Sequence, residues 1–259
     1  ENVKAMNSWL EKCKPNGETL NIVSGGPSFL KHIDYLKETK DKIICVKHSL
    51  PMLLEQGIIP WGCNILDPRP IEGTSTHGIV RKDLFKVVPK ETNFYVSVIQ
   101  LLKKSNATIV GWNAYSDAIV EKEKDGKVVI PKELGIPQNA TLLTGGTCAA
   151  MRAISVGHTL GFRNFKLFGF DCSVPEPKDK TEVDGTGKQK YLHVVTNGKK
   201  FWTTGELLAM AQDVEKLLQR TDVDMYMEFY GEDTLVSELW KLQQPQRLPD
   251  YGTTLSSNT

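Results

Sequence analysis

Short apolar runs that alternate with helix-spaced stretches constrain this chain more than any other feature. Leu20–Val23, Ile43–Val46, Asn64–Leu66, Phe94–Ile99 and Thr108–Trp112 each suit a strand, and helical spacing falls between them at Phe29–Leu36, Leu50–Leu54 and Leu101–Lys104. The alternation resumes downstream with a glycine-opened helix over 141–162, a strand over 164–173, a helix at Glu206–Leu218, a strand at Met225–Phe229 and a helix at Thr234–Leu242. Apolar strands that alternate with helices predict a mostly parallel sheet with helices on both faces, the Rossmann-like α/β class. Two segments break the pattern. One alternates around Asp125-Gly126 and the other around Asn197-Gly198, and both read as antiparallel hairpin insertions.

The ends differ from this body. Residues 1–18 carry Met6, Trp9 and Leu10 at near-helical spacing and read as a lead-in helix, with the main domain over 19–243. Residues 68–91 read as a loop excursion, and 244–259 as a polar tail for which disorder or docking is expected. The apolar stretch from Trp240 to Leu248 hints at homo-oligomerisation. With 259 residues, 40% of them hydrophobic, one sizeable core needs no staple. Thirty-two basic and 31 acidic residues give a net charge of +1, so no nucleic-acid partner is expected. The five cysteines include no CxxC pair, which suits a reducing, cytoplasmic setting, and no apolar run reaches the ~20 residues of a membrane span.

Ligands of open α/β sheets bind outside the carboxyl ends of the strands, where the strand order reverses. Three features are expected there. Ser24-Gly25-Gly26-Pro27-Ser28 directly follows the first strand, so its glycines can bring backbone close to an anion and Pro27 suits a first helical turn. Thr144-Gly145-Gly146-Thr147 opens a helix whose first N–H groups can bind phosphate, although the same glycines also suit close helix–sheet packing through Ala149, Ala150 and Ala153. Asp67 and Asp171 end strands; Asp67 precedes a proline and also suits a local turn, while Asp171 alternatively orders a loop. The glycine turn is neither GxGxxG nor a Walker A, which argues against a Rossmann dehydrogenase and a P-loop kinase.

Taken together, SGGPSFL after the first strand, ILD ending at 67, TIVGWNA, and above all TGGTCAAMRAISVGHTLGFRNFKLFGFDCS resemble the 6-hydroxymethylpterin diphosphokinase-like superfamily. That superfamily includes archaeal pterin diphosphokinases and the bacterial motility accessory factors of flagellin glycosylation, themselves similar to bacterial sialyltransferases. The likeness spans roughly residues 19–230. The family opening is closer to Asn-Gly-Pro-Ser, from which Ser24-Gly25-Gly26 departs.

The resemblance implies a nucleotide-dependent transferase acting on a small-molecule or glycan acceptor. One chemistry moves diphosphate from ATP to a pterin-like hydroxymethyl group and needs charge neutralisation, with Mg²⁺ held by Asp171 and Asp67 and with Arg152 or Lys47 facing phosphate. The other transfers a nonulosonic sugar from its CMP derivative, with His193 as general base and Tyr191 as phosphate partner. A non-catalytic nucleotide-binding module is the third reading. Thr203 and Thr204 are expected to line the substrate side, and Trp112 with Asn113 the acceptor, where Trp61, Trp202 or Tyr115 could also stack on a pterin.

Overall fold

The computed structural model describes residues 8–66, 92–96, 108–115, 121–122, 128–132, 140–146 and 148–244. Asp67, Thr147, the 68–91 excursion, Leu101–Lys104, Asp125-Gly126 and the tail beyond 244 lie outside the described residues. The chain opens with β1 (Ser8–Trp9) and β2 (Thr19–Val23), followed by a 3₁₀ turn (Pro27–His32) that runs into α1 (Ile33–Glu38). Next come β3 (Lys42–Val46), α2 (Ser49–Glu55), β4 (Gly62–Ile65), β5 (Asn93–Val96) and β6 (Thr108–Gly111). Four two-residue strands follow: β7 (Asn113–Ala114), β8 (Glu121–Lys122), β9 (Val128–Val129) and β10 (Leu142–Leu143). The last part contains α3 (Ala149–Thr159), β11 (Asn164–Phe168), β12 (Tyr191–Thr196), β13 (Lys199–Thr204), α4 (Gly205–Leu218), β14 (Tyr226–Tyr230) and α5 (Leu235–Gln243).

Among the described residues the main sheet has eight strands in the order β1-β6-β5-β4-β3-β2-β11-β14, and every neighbouring pair is parallel. The order reverses at β2. From there the chain moves outward through β3 to β6, then returns to place β11 on the other side of β2. The expected α/β Rossmann-like class is therefore present, with β12–β13 and β8–β9 as its two antiparallel hairpins. In the first of these, Asn197 and Gly198 both take positive φ, 51° and 72°, the geometry that matches a two-residue turn to strand twist.

Burial explains why the strands read as unbroken apolar runs. Ile22, Ile44, Tyr95, Leu167 and Phe229 belong to a cluster shared with α3, α4 and α5, while Val23, Cys45, Cys63, Phe94 and Phe168 pack with the 3₁₀ turn, α1 and α2. Neighbours along each strand point to opposite faces, and both faces are covered.

The N-terminal expectation is corrected. Ser8–Trp9 is an edge strand on β6, and residues 10–18 form no helix; instead Cys13 N–H donates to Thr159 O at 2.7 Å and Asn16 N–H to Gly161 O at 2.8 Å. With Pro15-Asn16-Gly17 in the segment, the backbone finds its partners at the far end of α3 rather than within a helix of its own. The helix expected from 141 begins only at Ala149, because Gly145 and Gly146 sit at φ 114° and 63°. The strand expected to reach 173 stops at Phe168, where Gly169 turns at φ 68°. Trp240, placed in a self-association surface by its sequence, donates its indole N–H to Met227 O at 3.1 Å.

The hairpin of β12 and β13 is fastened to α5 through Glu238. This carboxylate is 1% exposed and accepts from Asn197 Nδ2 at 2.9 Å, Lys241 Nζ at 2.9 Å and Lys199 Nζ at 3.0 Å. Those donors hold its pKa down at about 2, below the usual 4.5. Because the folded pKa is depressed, the stabilisation is complete above pH 4.5 and is lost as pH falls towards 2. Glu238→Gln is expected to cost about 2 kcal/mol at neutral pH. The gap from wild type should shrink as pH drops in urea titrations; a gap constant over that window would contradict this account.

Candidate functional site

The reversal at β2 places two turns side by side. Ser24–Ser28 leaves β2, and Gly169–Ser173 leaves β11. Ser24 N–H donates to Phe168 O at 2.8 Å and Gly26 N–H to Gly169 O at 2.9 Å, stitching the turns together. The approach is so close that a Cβ on Gly26 would lie 2.5 Å from Gly169 O and 2.6 Å from Asp171 Cγ. A Cβ on Gly169 would meet Gly26 O and Ser24 O, both at 2.7 Å. Gly26 is thus required by contact rather than by positive φ, since its φ is −71°.

Asp171 completes the clasp. It is 6% exposed, and its two carboxylate oxygens accept separately from Ser28, Oδ2 from the backbone N–H at 3.0 Å and Oδ1 from the hydroxyl. It caps the turn that starts at Pro27, as the loop-ordering alternative for this residue required.

The clasped turns form one wall of a cavity of about 800 Å³ at the carboxyl ends of the strands. Lys47 and His48 after β3, Leu66 after β4, and Cys148–Met151 at the start of α3 supply the other sides, while Phe170, Leu207, Met210 and Val214 make an apolar floor. Lys47 and Cys172 both hold left-handed backbone, φ 41° and 50°, without being glycine. Such conformations are costly and concentrate at ligand sites.

Local electrostatics follow from burial. Cys172 is pushed up to about 12, first by burial and then by Cys148 and Asp171. Burial also raises the Cys148 thiol, against the pull of the Met151 and Ala150 N–H groups at the start of α3. Both thiols therefore stay protonated and neutral. Burial lowers the Arg152 guanidinium, whose Nη1 donates to Leu143 O while Nε finds no partner among the described residues.

The structure brings together only part of the expected site. Ser24, Gly25, Gly26, Pro27 and Asp171 line the cavity, with Ser28 beneath them on Asp171. Thr144, Gly145 and Gly146 do not; they line a separate cavity further along α3 and α4, where Ser155 Oγ donates to Thr144 O at 2.6 Å. The two glycine motifs therefore share a helix and not a cradle. His193 and Tyr191 lie on β12, one strand further out than β13, whose Trp202 bridges to cavity-lining Val174. His193 is exposed and packs on Trp202 at 5.4 Å.

Thr203 Oγ1 donates to Cys172 O at 2.9 Å, and Thr204 Oγ1 caps α4 by accepting from Leu207 N–H, so both hydroxyls serve backbone. Trp112 is 1% exposed within the core, and Asn113 pairs with Leu142 in a two-stranded sheet. Neither lines the cavity. Trp61 packs on Tyr95 and Phe162 just before β4, at the amino ends of the strands. Glu206, Met210 and Cys148 join the cavity without having been singled out from sequence; for Glu206 and Cys148 the helix starts that carry them were the available signal.

A magnesium ion would need carboxylate oxygens turned to the cavity. Asp171 turns both of its oxygens to Ser28, and no group of three or more metal-ligating side chains converges among the described residues. Asp67, the other residue expected to hold magnesium, lies outside the described residues.

Fold and cavity define a Rossmann-like α/β protein with a cavity at its strand-order reversal. The chain belongs to the 6-hydroxymethylpterin diphosphokinase MptE-like family, whose model matches residues 1–177. Among solved structures it is similar to the Maf glycosyltransferase of Magnetospirillum magneticum AMB-1, with TM-score 0.57 and 16% identity. That likeness covers 89% of this chain but 35% of the glycosyltransferase, so this chain spans about a third of that protein's length. No curated protein matches it in sequence.

Gly26→Ala is expected to destabilise the protein by about 3 kcal/mol, because backbone on both sides must move. Asp171→Ala and Ser28→Ala should each destabilise it and combine with strong non-additivity in a double-mutant cycle. Additive losses in denaturant titrations would show that the clasp is not one unit.

Proposed function

We propose that the protein is a nucleotide-dependent transferase that seats the phosphate of an activated donor between the Ser24–Pro27 turn and the start of α3. The observation that carries this reading is which donors remain free. Ser24, Gly26 and Ser28 N–H groups are engaged within the clasp and Pro27 has none, so Gly25 N–H is the one the turn offers. Opposite it, no side-chain oxygen among the described residues caps the first turn of α3, whose Ala150 and Met151 N–H groups face only the neutral Cys148 thiol. An uncapped helix start that lines a cavity attracts an anion. Lys47 supplies a positive charge on the same cavity, and the apolar floor suits the less polar part of a donor or acceptor.

Diphosphate transfer from ATP to a hydroxymethyl acceptor is the reading that family membership supports. Transfer of a sugar from its CMP derivative is the second, favoured by the engagement of both Asp171 oxygens with Ser28, which suits a single phosphate held by N–H groups. All five cysteines are free, in keeping with a reducing, cytoplasmic setting, and no helix among the described residues is long and apolar enough to cross a membrane.

Thermal-shift titrations with ATP, CTP, CMP and CMP-sialic acid, each with and without Mg²⁺, test the proposal. A ligand at 100 times its Kd should add about 2.7 kcal/mol of stability. A magnesium-dependent shift with ATP alone favours diphosphate transfer, and a magnesium-independent shift with the cytidine ligands favours sugar transfer. Lys47→Met should weaken whichever donor binds by about tenfold. If none of the four produces a shift, the transferase reading fails.

A further inference from the structure

The second cavity, further along α3 and α4, is unused by the proposed reaction. We propose that it is a second ligand site, for a small amphipathic anion with a carboxylate or phosphate head and an apolar body. This inference goes beyond the transferase reading and does not rest on it.

The cavity encloses about 490 Å³, within the range of small-molecule sites. Ile154, Leu217, Val223 and Met225 form an apolar floor, while Lys12 and Lys216 stand at the mouth. Both lysines are exposed and form no ion pair among the described residues. Arg220 is otherwise engaged, holding Asp222 through two hydrogen bonds of 2.9 and 2.6 Å. Asp213 is the one acidic side chain on the lining and already has an interaction of its own. His158 is kept towards its neutral form by burial, with Arg163 and Lys12 acting in the same direction, so it serves as a neutral polar group. The lining thus sets two exposed lysines against the single carboxylate of Asp213, with Arg220 held by Asp222, above an apolar floor.

The wall is also pre-organised. Gly145 and Gly146 turn in left-handed backbone, Ser155 fixes the Thr144 carbonyl, and Arg152 fixes that of Leu143. An anion that enters need not order this loop, which lowers the cost of binding. The two cavities share Met151; the first is lined by the early residues of α3 and α4 and the second by residues further along both helices.

Isothermal titration of the full chain with octanoate, hexyl phosphate and 1-octanol tests the site. Both anions should bind saturably, with the neutral alcohol weaker by about tenfold. A preference between the two anions would identify the head group. Lys12→Glu combined with Lys216→Glu should weaken octanoate by about tenfold or more, and Val223→Trp should abolish binding by filling the floor. Unchanged denaturation midpoints would show that both variants fold. The proposal is overturned if neither anion binds at millimolar concentration, if octanol binds as tightly as octanoate, or if the variants leave octanoate affinity unaltered.

Discussion

Everything that positions the first cavity depends on two turns meeting at backbone distance. Gly26 and Gly169 face one another with no room for a side chain on either, and the amides of Ser24 and Gly26 close the seam. Asp171 then reaches across to both hydrogen-bond donors of Ser28. A buried carboxylate with a hydrogen bond on each oxygen is held in place far more firmly than one facing solvent. The clasp determines where β2 and β11 end, and so where the cavity begins.

This arrangement changes how a glycine-rich turn is understood. Such a turn suggests a row of N–H groups free to cradle phosphate. Here most of them are already bonded to the neighbouring turn, and among the described residues Gly25 is the one left open. An anion at the proposed seat would therefore sit between two elements rather than inside one loop. The apolar floor from Met210, Val214 and Phe170 lowers the local dielectric, so each remaining donor counts for more than it would in water.

Much of the fold was legible because strands buried on both faces leave an unambiguous mark. LNIV and IICV can hardly be anything else, and the Asn197-Gly198 hairpin follows from the only turn chemistry that fits. The site was legible in part. Ser24–Pro27 and Asp171 were found because strand order dictates where strand ends converge. Gly145 and Gly146 were misplaced because a glycine pair before a helix does not show which way its turn leads; their positive φ carries them to the second cavity instead. Thr203, Thr204 and Trp112 illustrate a different limit, since hydroxyls and an indole are equally at home in caps, anchors and cores as in binding sites. Lys47 owes its place to left-handed backbone, for which a lysine in sequence gives no sign.

The clasp joins residues 143 apart in sequence. Contacts so distant carry a large loop-closure cost and form late unless much of the intervening chain is already ordered. In sequence β3 follows β2 almost directly, whereas β11 comes only after α3. A chain without β11 in place leaves the second edge of β2 and the first glycine turn uncovered. The cleft consequently records the completion of folding: a nascent chain that has not yet placed β11 has no half-formed version of it.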